Sequence, residues 1–261
     1  MERLRKELLR RTEQVAPALT GHQFVSHDTG LAPLGVPLPY TEEDERALHV
    51  SARRPAAKPR REGVVGHRLQ ERRPARWKVQ GVPIEHPARL WRQAGSLWQL
   101  DDLVAAGDFL VLPRRRLATI EELRREVEYA GDVTGGVLTR ALDEIRVGAE
   151  TAEETYLRLL LTRNGLPHPE LNIDLRTPEG RFVARLDLAY PRYRVAVEHD
   201  GRTHAFDENQ FARDADRWDD IRALGWRHVR ILSHHLRPDE GVAVAKVREA
   251  LIERGWRPDL R

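Results

Sequence analysis

The sequence predicts an α/β protein of the α+β kind, built as two domains. A smaller mixed α/β domain is expected over residues 1–147, and a central mixed sheet flanked by helices, in the order αβββαβ, over 148–261. Three observations predict this. The chain has 261 residues, enough for two separate cores. Apolar and polar residues alternate along two neighbouring runs between Phe182 and Asp200, the signature of strands. Thr151 stands before Ala152-Glu153-Glu154, a helix start just beyond the junction Arg146-Val147-Gly148-Ala149-Glu150.

The elements follow in order. Leu4, Leu8, Leu9 and Val15 give the apolar stripe of a helix over 2–16, which Pro17 ends. The stretch from Gly21 to Tyr40 is rich in Gly and Pro and reads as short turns and extended pieces. Alternation returns at 47–51 and 63–69, two strands separated by a basic loop holding Pro55 and Pro59. Residues 79–84 give another strand, and helices follow at 87–94, 100–109 and 120–129. Beyond the junction the pattern predicts a helix at 152–164 and strands at 171–175, 181–190 and 194–200. A helix at 208–224, a strand at 227–232 and a helix at 240–254 complete it. A mixed sheet of four strands is the economical arrangement.

Composition narrows the function classes. Cysteine is absent, which excludes disulfides, thiolate zinc sites and cysteine nucleophiles. With no run of eighteen apolar residues, no membrane span is expected. The opening Met1-Glu2-Arg3-Leu4-Arg5-Lys6 leads into a charged helix and not an apolar signal segment, so the expected location is cytoplasmic. The net charge of +3 is unevenly spread: residues 51–100 carry twelve Lys and Arg against three Asp and Glu, whereas 151–261 hold nineteen of each. The basic block, with Arg60, Arg61, Arg72 and Arg73 among its members, suits a phosphate backbone; the alternative is a solvated, arginine-rich surface.

The densest chemistry lies in a hairpin. Leu186 and Leu188 precede a turn at Pro191-Arg192, and Val195 and Val197 follow it, so both strands have an aliphatic face. Read as a two-residue connection, the turn sets Asp187 opposite Ala196 and diagonal to Glu198. Asp187, Glu198 and Asp200 then share the other face. Carboxylates that close repel one another, so the arrangement predicts a bound cation among them. Glu154 has a structural reading of its own, because Thr151-x-x-Glu154 is a complete capping box.

Taken together, Glu154-x-x-Leu157-Arg158, Asp187, Val197-Glu198-His199-Asp200-Gly201-x-x-His204, Arg213-Asp214-x-x-Arg217 and Leu224-Gly225-Trp226-x-x-x-Arg230 resemble the very-short-patch-repair-like (Vsr-like) endonuclease domain of the PD-(D/E)XK superfamily. The resemblance covers about residues 150–257. It implies a restriction-endonuclease-like αβββαβ core in which acidic residues hold a divalent metal, Mg²⁺ or Mn²⁺, against the scissile phosphate of DNA. Carried onto this chain, Glu154, Asp187 and Glu198 form the acidic set, with Asp200 as a further metal ligand. Asp200 stands where the superfamily's usual lysine would be, so that lysine's role passes to Arg202, His204 or Arg213, or to a second metal. His204 is expected as general base or phosphate donor. Arg202, Arg213 and Arg217 are expected to contact phosphate; Arg213 and Arg217, one helical turn apart, also suit a salt-bridged face that orients the acids. A zinc site of His199, His204, His234 and His235 is the competing metal reading, with His199 expected to point away from the acidic face.

The first half has a more diffuse resemblance. The run from Val25 to Pro39, followed by Val82-Pro83-Ile84 and by Asp102 to Asp108, is similar to the body of AbiEi-type antitoxins. Those proteins commonly begin with a DNA-binding winged helix, of which this chain is expected to lack a full copy. The expected function is therefore a metal-dependent endonuclease that hydrolyses DNA phosphodiester bonds. A homodimer or a toxin–antitoxin partner is compatible with it. The alternatives are an antitoxin-like or regulatory DNA-binding protein whose nuclease fold is catalytically inactive, and hydrolysis of a small phosphoester, for which no Gly-rich phosphate cradle speaks.

Overall fold

Local signals decide most of the first half. Helix α1 (Glu2–Val15) stops where Pro17 enters a 3-10 turn. The computed structural model describes residues 2–40, 47–73, 77–200, 208–236 and 240–258. The chain divides into two units, Met1–Arg146 and Val147–Arg261, so the N-terminal unit is the larger and not the smaller one. The Gly- and Pro-rich stretch of this unit is structured. Residues 21–40 hold β1 (Gln23–Val25), α2 (His27–Leu31) and a 3-10 turn at Ala32–Leu34. Leu31, Ala32 and Val36 are fully buried there, and their burial overrides the local turn preference. Gly30 is needed at this point, because a Cβ would meet Leu90 Cδ2 at 2.5 Å.

Strands β2 (Leu48–Arg53), β3 (Val64–Leu69), β4 (Trp77–Val79) and β5 (Val82–Ile84) complete a sheet in the order β3-β2-β1-β5-β4. The single strand expected over 79–84 is instead a hairpin, with Val79 ending β4 and Val82–Ile84 forming β5. Gln80 and Gly81 both take left-handed backbone, φ 50° and 83°, as the twist-matched two-residue turn requires. Helices α3 (Pro87–Ala94), α4 (Leu100–Val111), α5 (Ile120–Ala130) and α6 (Val137–Glu144) follow, with Leu90, Trp91, Leu103, Leu110, Leu123 and Leu138 buried. Thr119 and Glu122 close a capping box at the start of α5. Helix α6 had no signal beyond a short apolar run after Gly135-Gly136.

The second unit reads α7 (Ala152–Arg163), β6 (Glu170–Arg176), β7 (Phe182–Tyr190), β8 (Val195–Asp200), α8 (Glu208–Ala223), β9 (Arg227–Leu232) and α9 (Gly241–Glu253). Its sheet runs β6-β7-β8-β9, with β6/β7 and β7/β8 antiparallel and β8/β9 parallel. Leu188, Tyr190, Val195, Val197, Val229 and Ile231 pack with Leu157 and Leu161 of α7 and Val244, Val247 and Leu251 of α9. A second cluster gathers Ala189 and Ala196 with Trp218 and Ile221 of α8 and with Leu224 just beyond it.

The hairpin corrects the expected register. Pro191–Tyr193 form a 3-10 turn closed by Arg194 in left-handed conformation (φ 49°, ψ 47°), so the connection is longer than two residues. Ala189 pairs with Ala196 and Leu188 with Val197. The next step along the same register sets Asp187 across from Glu198, not from Ala196. The slip is two positions, which leaves the faces of the paired residues unchanged.

Candidate functional site

The Thr151 hydroxyl oxygen accepts the Glu154 N–H at 3.2 Å and starts α7. Glu154 is buried, and its carboxylate accepts from the Glu150 N–H at 2.9 Å, the Thr151 hydroxyl at 3.0 Å and the Asn172 side-chain amide. It does not return a bond to the Thr151 N–H. The capping box is therefore half made, with the carboxylate drawn toward β6 by Asn172. Asn172 itself takes left-handed backbone, φ 50°, at the step between the pairs Leu171–Leu188 and Ile173–Leu186. That step faces Asp187. Asn tolerates this conformation at low cost, and its amide also donates to the Gly148 carbonyl at 3.0 Å.

Asp187 is half-buried and accepts the His199 N–H at 3.4 Å. Burial, then the negative charges of Glu154 and Glu198, push its carboxyl up to about 7; the His199 N–H and Arg217 pull the other way. Glu198 is 7% exposed, and its two oxygens have different fates. Oε2 accepts from the Arg217 guanidinium at 2.8 Å and lies 3.1 Å from His228 Nε2, the latter contact off hydrogen-bond alignment. Oε1 is buried with no hydrogen-bond partner among the described residues. An orphaned buried carboxylate oxygen is costly unless a cation or water completes it.

Asp200 continues the same face, but Arg230, which stands across from Glu198 on β9, engages Asp200 Oδ2 through both Nε and a terminal nitrogen. That guanidinium lies 4.7 Å from the centre of the Trp218 ring, which also stacks on His228 at 5.5 Å. The expected trio of Asp187, Glu198 and Asp200 therefore does not close into a cage. No three of the described carboxylates have ligand atoms all within 4.8 Å of one another. Arg230 and Arg217 have taken one oxygen each. What remains is a pair, Asp187 with the Oε1 side of Glu198, and Glu154 behind it. Mg²⁺ asks for one or two carboxylates and keeps its waters, so the pair fits that ion.

The other predicted residues are scattered. Arg202 and His204 lie outside the described residues, and Arg213 sits on α8 one turn before Arg217. His199 belongs to the strand position that alternates away from Glu198, and His235 Nδ1 accepts the Leu232 N–H at 3.0 Å. The four-histidine zinc set is therefore not gathered among the described residues. In the first unit Arg60, Arg61 and Arg73 are exposed, whereas Arg72 pairs with Glu126 at 2.7 Å and lies over Tyr129. Arg54, Arg72, Lys78, Phe24 and Trp77 line a cavity of about 460 Å³. Basic groups beside aromatic rings suit a nucleic-acid strand.

No family model matches the chain, and no solved structure matches it. The chain is 32% identical over 173 residues to two Mycobacterium tuberculosis proteins: the uncharacterized protein MT2308 of strain CDC 1551 / Oshkosh and the uncharacterized protein Rv2248 of strain ATCC 25618 / H37Rv. The match covers 61% of this chain and 64% of each relative, so the chain spans less than two thirds of their length. No helix among the described residues is long and apolar enough to cross a membrane.

Sequence reasoning missed three contributors. Asn172 carried a signal, since Asn inside a β run is unfavourable without a local reason. His228 and the Trp218 platform carried none, because only the parallel β8/β9 ladder and the packing of α8 bring them to Glu198. A further missed group lies in the first unit, where His27, His49 and His67 meet in the interior. Burial lowers all three imidazoles, His27 to about 3 and His67 to about 4.

Proposed function

We propose that the second unit is a divalent-metal-dependent nuclease that hydrolyses phosphodiester bonds in DNA. The observation that carries the reading is the buried, unpartnered Oε1 of Glu198 beside Asp187, a carboxyl whose ionisation burial and two neighbouring acids oppose. Such a pair costs stability in an empty site and is accounted for by a cation. The helix and strand order of the unit, with Glu154, Asp187 and Glu198 on its first helix, second strand and third strand, supports the same reading. Asp187 and Glu198 would hold the ion. A bound Mg²⁺ or Mn²⁺ supplies Lewis-acid polarisation of a phosphoryl oxygen and a more acidic water.

The chain's own residues do the rest. Glu154, fixed by Asn172 and the Glu150 N–H, keeps negative charge behind Asp187. Arg217 holds Glu198 Oε2 and leaves Oε1 as the oxygen without a partner. Arg230 neutralises Asp200 at the position where a lysine is usual. The Arg60, Arg61 and Arg73 side chains of the first unit supply exposed positive charge for a nucleic-acid backbone.

Plasmid DNA incubated with Mg²⁺ or Mn²⁺ tests the reading. Cleavage is expected in the wild type, with loss in chelator and in Asp187→Asn and Glu198→Gln. Undiminished cleavage in those two variants would refute the assignment. One observation favours a second reading, a DNA-binding protein on an inactive nuclease scaffold: Arg217 and Arg230 already engage two of the acids. It predicts salt-sensitive DNA binding with no metal-dependent cleavage.

A further inference from the structure

We propose that His27, His49 and His67 form a second metal site, selective for a transition-metal cation of the Zn²⁺ class. The three side chains come from separate elements: His27 opens α2, His49 lies on β2 and His67 on β3. One nitrogen from each lies within 4.8 Å of the other two. His27 and His49 are almost fully buried. The His27 ring stacks on His67 at 3.9 Å, and His49 Nδ1 lies 2.8 Å from His67 Nε2.

The surroundings are those of a ligand set and not of a packed apolar core. Ser26 makes no cap bond to α2; its hydroxyl takes the His27 ring at Nδ1, 2.9 Å away, and the Ser51 hydroxyl at 2.7 Å. That contact orients the imidazole and leaves Nε2 to coordinate, as a metal's outer partners commonly do. Asp28 Oδ1 is 3.8 Å from His49 Nε2, a carboxylate placed to orient that ring from behind. His27 is held in left-handed backbone at φ 54°, a conformation a buried residue keeps only when its surroundings enforce it.

Coordination requires the His27 and His67 rings, stacked 3.9 Å apart, to turn until their nitrogens converge. Two tetrahedral nitrogen ligands stand about 3.4 Å apart, so the 2.8 Å His49–His67 contact must open by roughly half an ångström. The proton in that contact moves to the far nitrogen of the same ring, and no net charge leaves. Imidazole ligands select Zn²⁺, Ni²⁺ or Cu²⁺ over Mg²⁺. This site therefore differs in chemistry from the carboxylate pair of the second unit. Its effect would be to fasten β3, an edge strand, to β2 and to the β1–α2 turn.

The test is calorimetric titration of Zn²⁺ into the full chain, with circular dichroism on each variant. The wild type and an Asp187→Asn/Glu198→Gln double variant are expected to bind one Zn²⁺ per chain. His67→Gln, altered at the least buried of the three, is expected to lose at least about tenfold in affinity. Imidazole resonances of the wild type, followed by NMR, provide a readout that needs no variant: three histidines should shift with added Zn²⁺ and none of them with Mg²⁺. Absent binding, binding unchanged in His67→Gln, or binding lost only in the double carboxylate variant would each overturn the proposal.

Discussion

Asp187→Asn should make the metal-free protein more stable at alkaline pH, although it removes a residue from the candidate active site. The folded-state carboxyl is raised from 3.8 to about 7. A carboxyl so raised binds its proton more tightly when folded. Its favourable contribution is complete below pH 3.8 and is lost as pH rises through 7. Each unit is equivalent to 1.36 kcal/mol, so the ionised form costs about 4 kcal/mol above pH 7 as an upper bound. Asparagine keeps an oxygen for the His199 N–H and carries no charge. The two proteins should match at pH 4 and diverge to between about 1 and 4 kcal/mol at pH 8, in chelator. Hydrogen exchange of β7 and β8 amides reads this for the second unit alone. Added Mg²⁺ should narrow the gap by stabilising only the wild type. Parallel stability curves from pH 4 to 8 would show that Asp187 ionises without penalty, and the electrostatic case for a cation would fall.

Other expectations follow from geometry already described. Asn172→Ala removes both amide bonds, to Glu154 and to Gly148, and leaves a non-Gly residue at φ 50°. It should cost about 1–3 kcal/mol by denaturant titration and weaken cleavage more than a matched exposed substitution. Gly107→Ala drives a Cβ into the Ile145 side chain and should cost about 1–3 kcal/mol. In chelator the first unit should be acid-sensitive. His27 is depressed from 6.5 to about 3, so its contribution is complete above pH 6.5 and is lost as pH falls toward 3, at most about 5 kcal/mol in all. His27→Gln should flatten that limb of the stability profile; an unchanged limb would remove His27 as its source. Arg217→Gln leaves Glu198 Oε2 without its ion pair and should slow cleavage while raising the Mg²⁺ concentration required.

The second unit was largely legible because its strands alternate cleanly and its helix starts are chemically marked. Thr151, Gly225 and the Val195–Val197 run define boundaries with little help from tertiary contacts. The acidic face was legible too, since any register slip of two keeps Asp187 and Glu198 together. What the chain could not disclose locally was partnership across elements. Arg217 and Arg230 lie 19 and 30 residues from the carboxylates they engage, so nothing in their spacing says which acids they neutralise. The first half departs from its reading mainly between Gly21 and Tyr40. Gly30 looks like a turn former, yet it lies inside α2 and admits the Leu90 side chain, whereas Gly35 does close a 3-10 turn at φ 87°. The histidine group depends on β2/β3 pairing across a Pro-containing loop, which no periodicity reports.

The 3-10 turn at Pro191–Tyr193 has a consequence for how the chain assembles. It lets β7 and β8 zip together as a local unit, bringing Asp187 and Glu198 side by side early in collapse. Arg217, the ion-pair partner of Glu198, arrives only when α8 docks on the sheet. Repulsion is thus generated first and relieved last. Nascent hairpins of this sequence should form fastest in mild acid, and the last step of maturation is the arrival of positive charge.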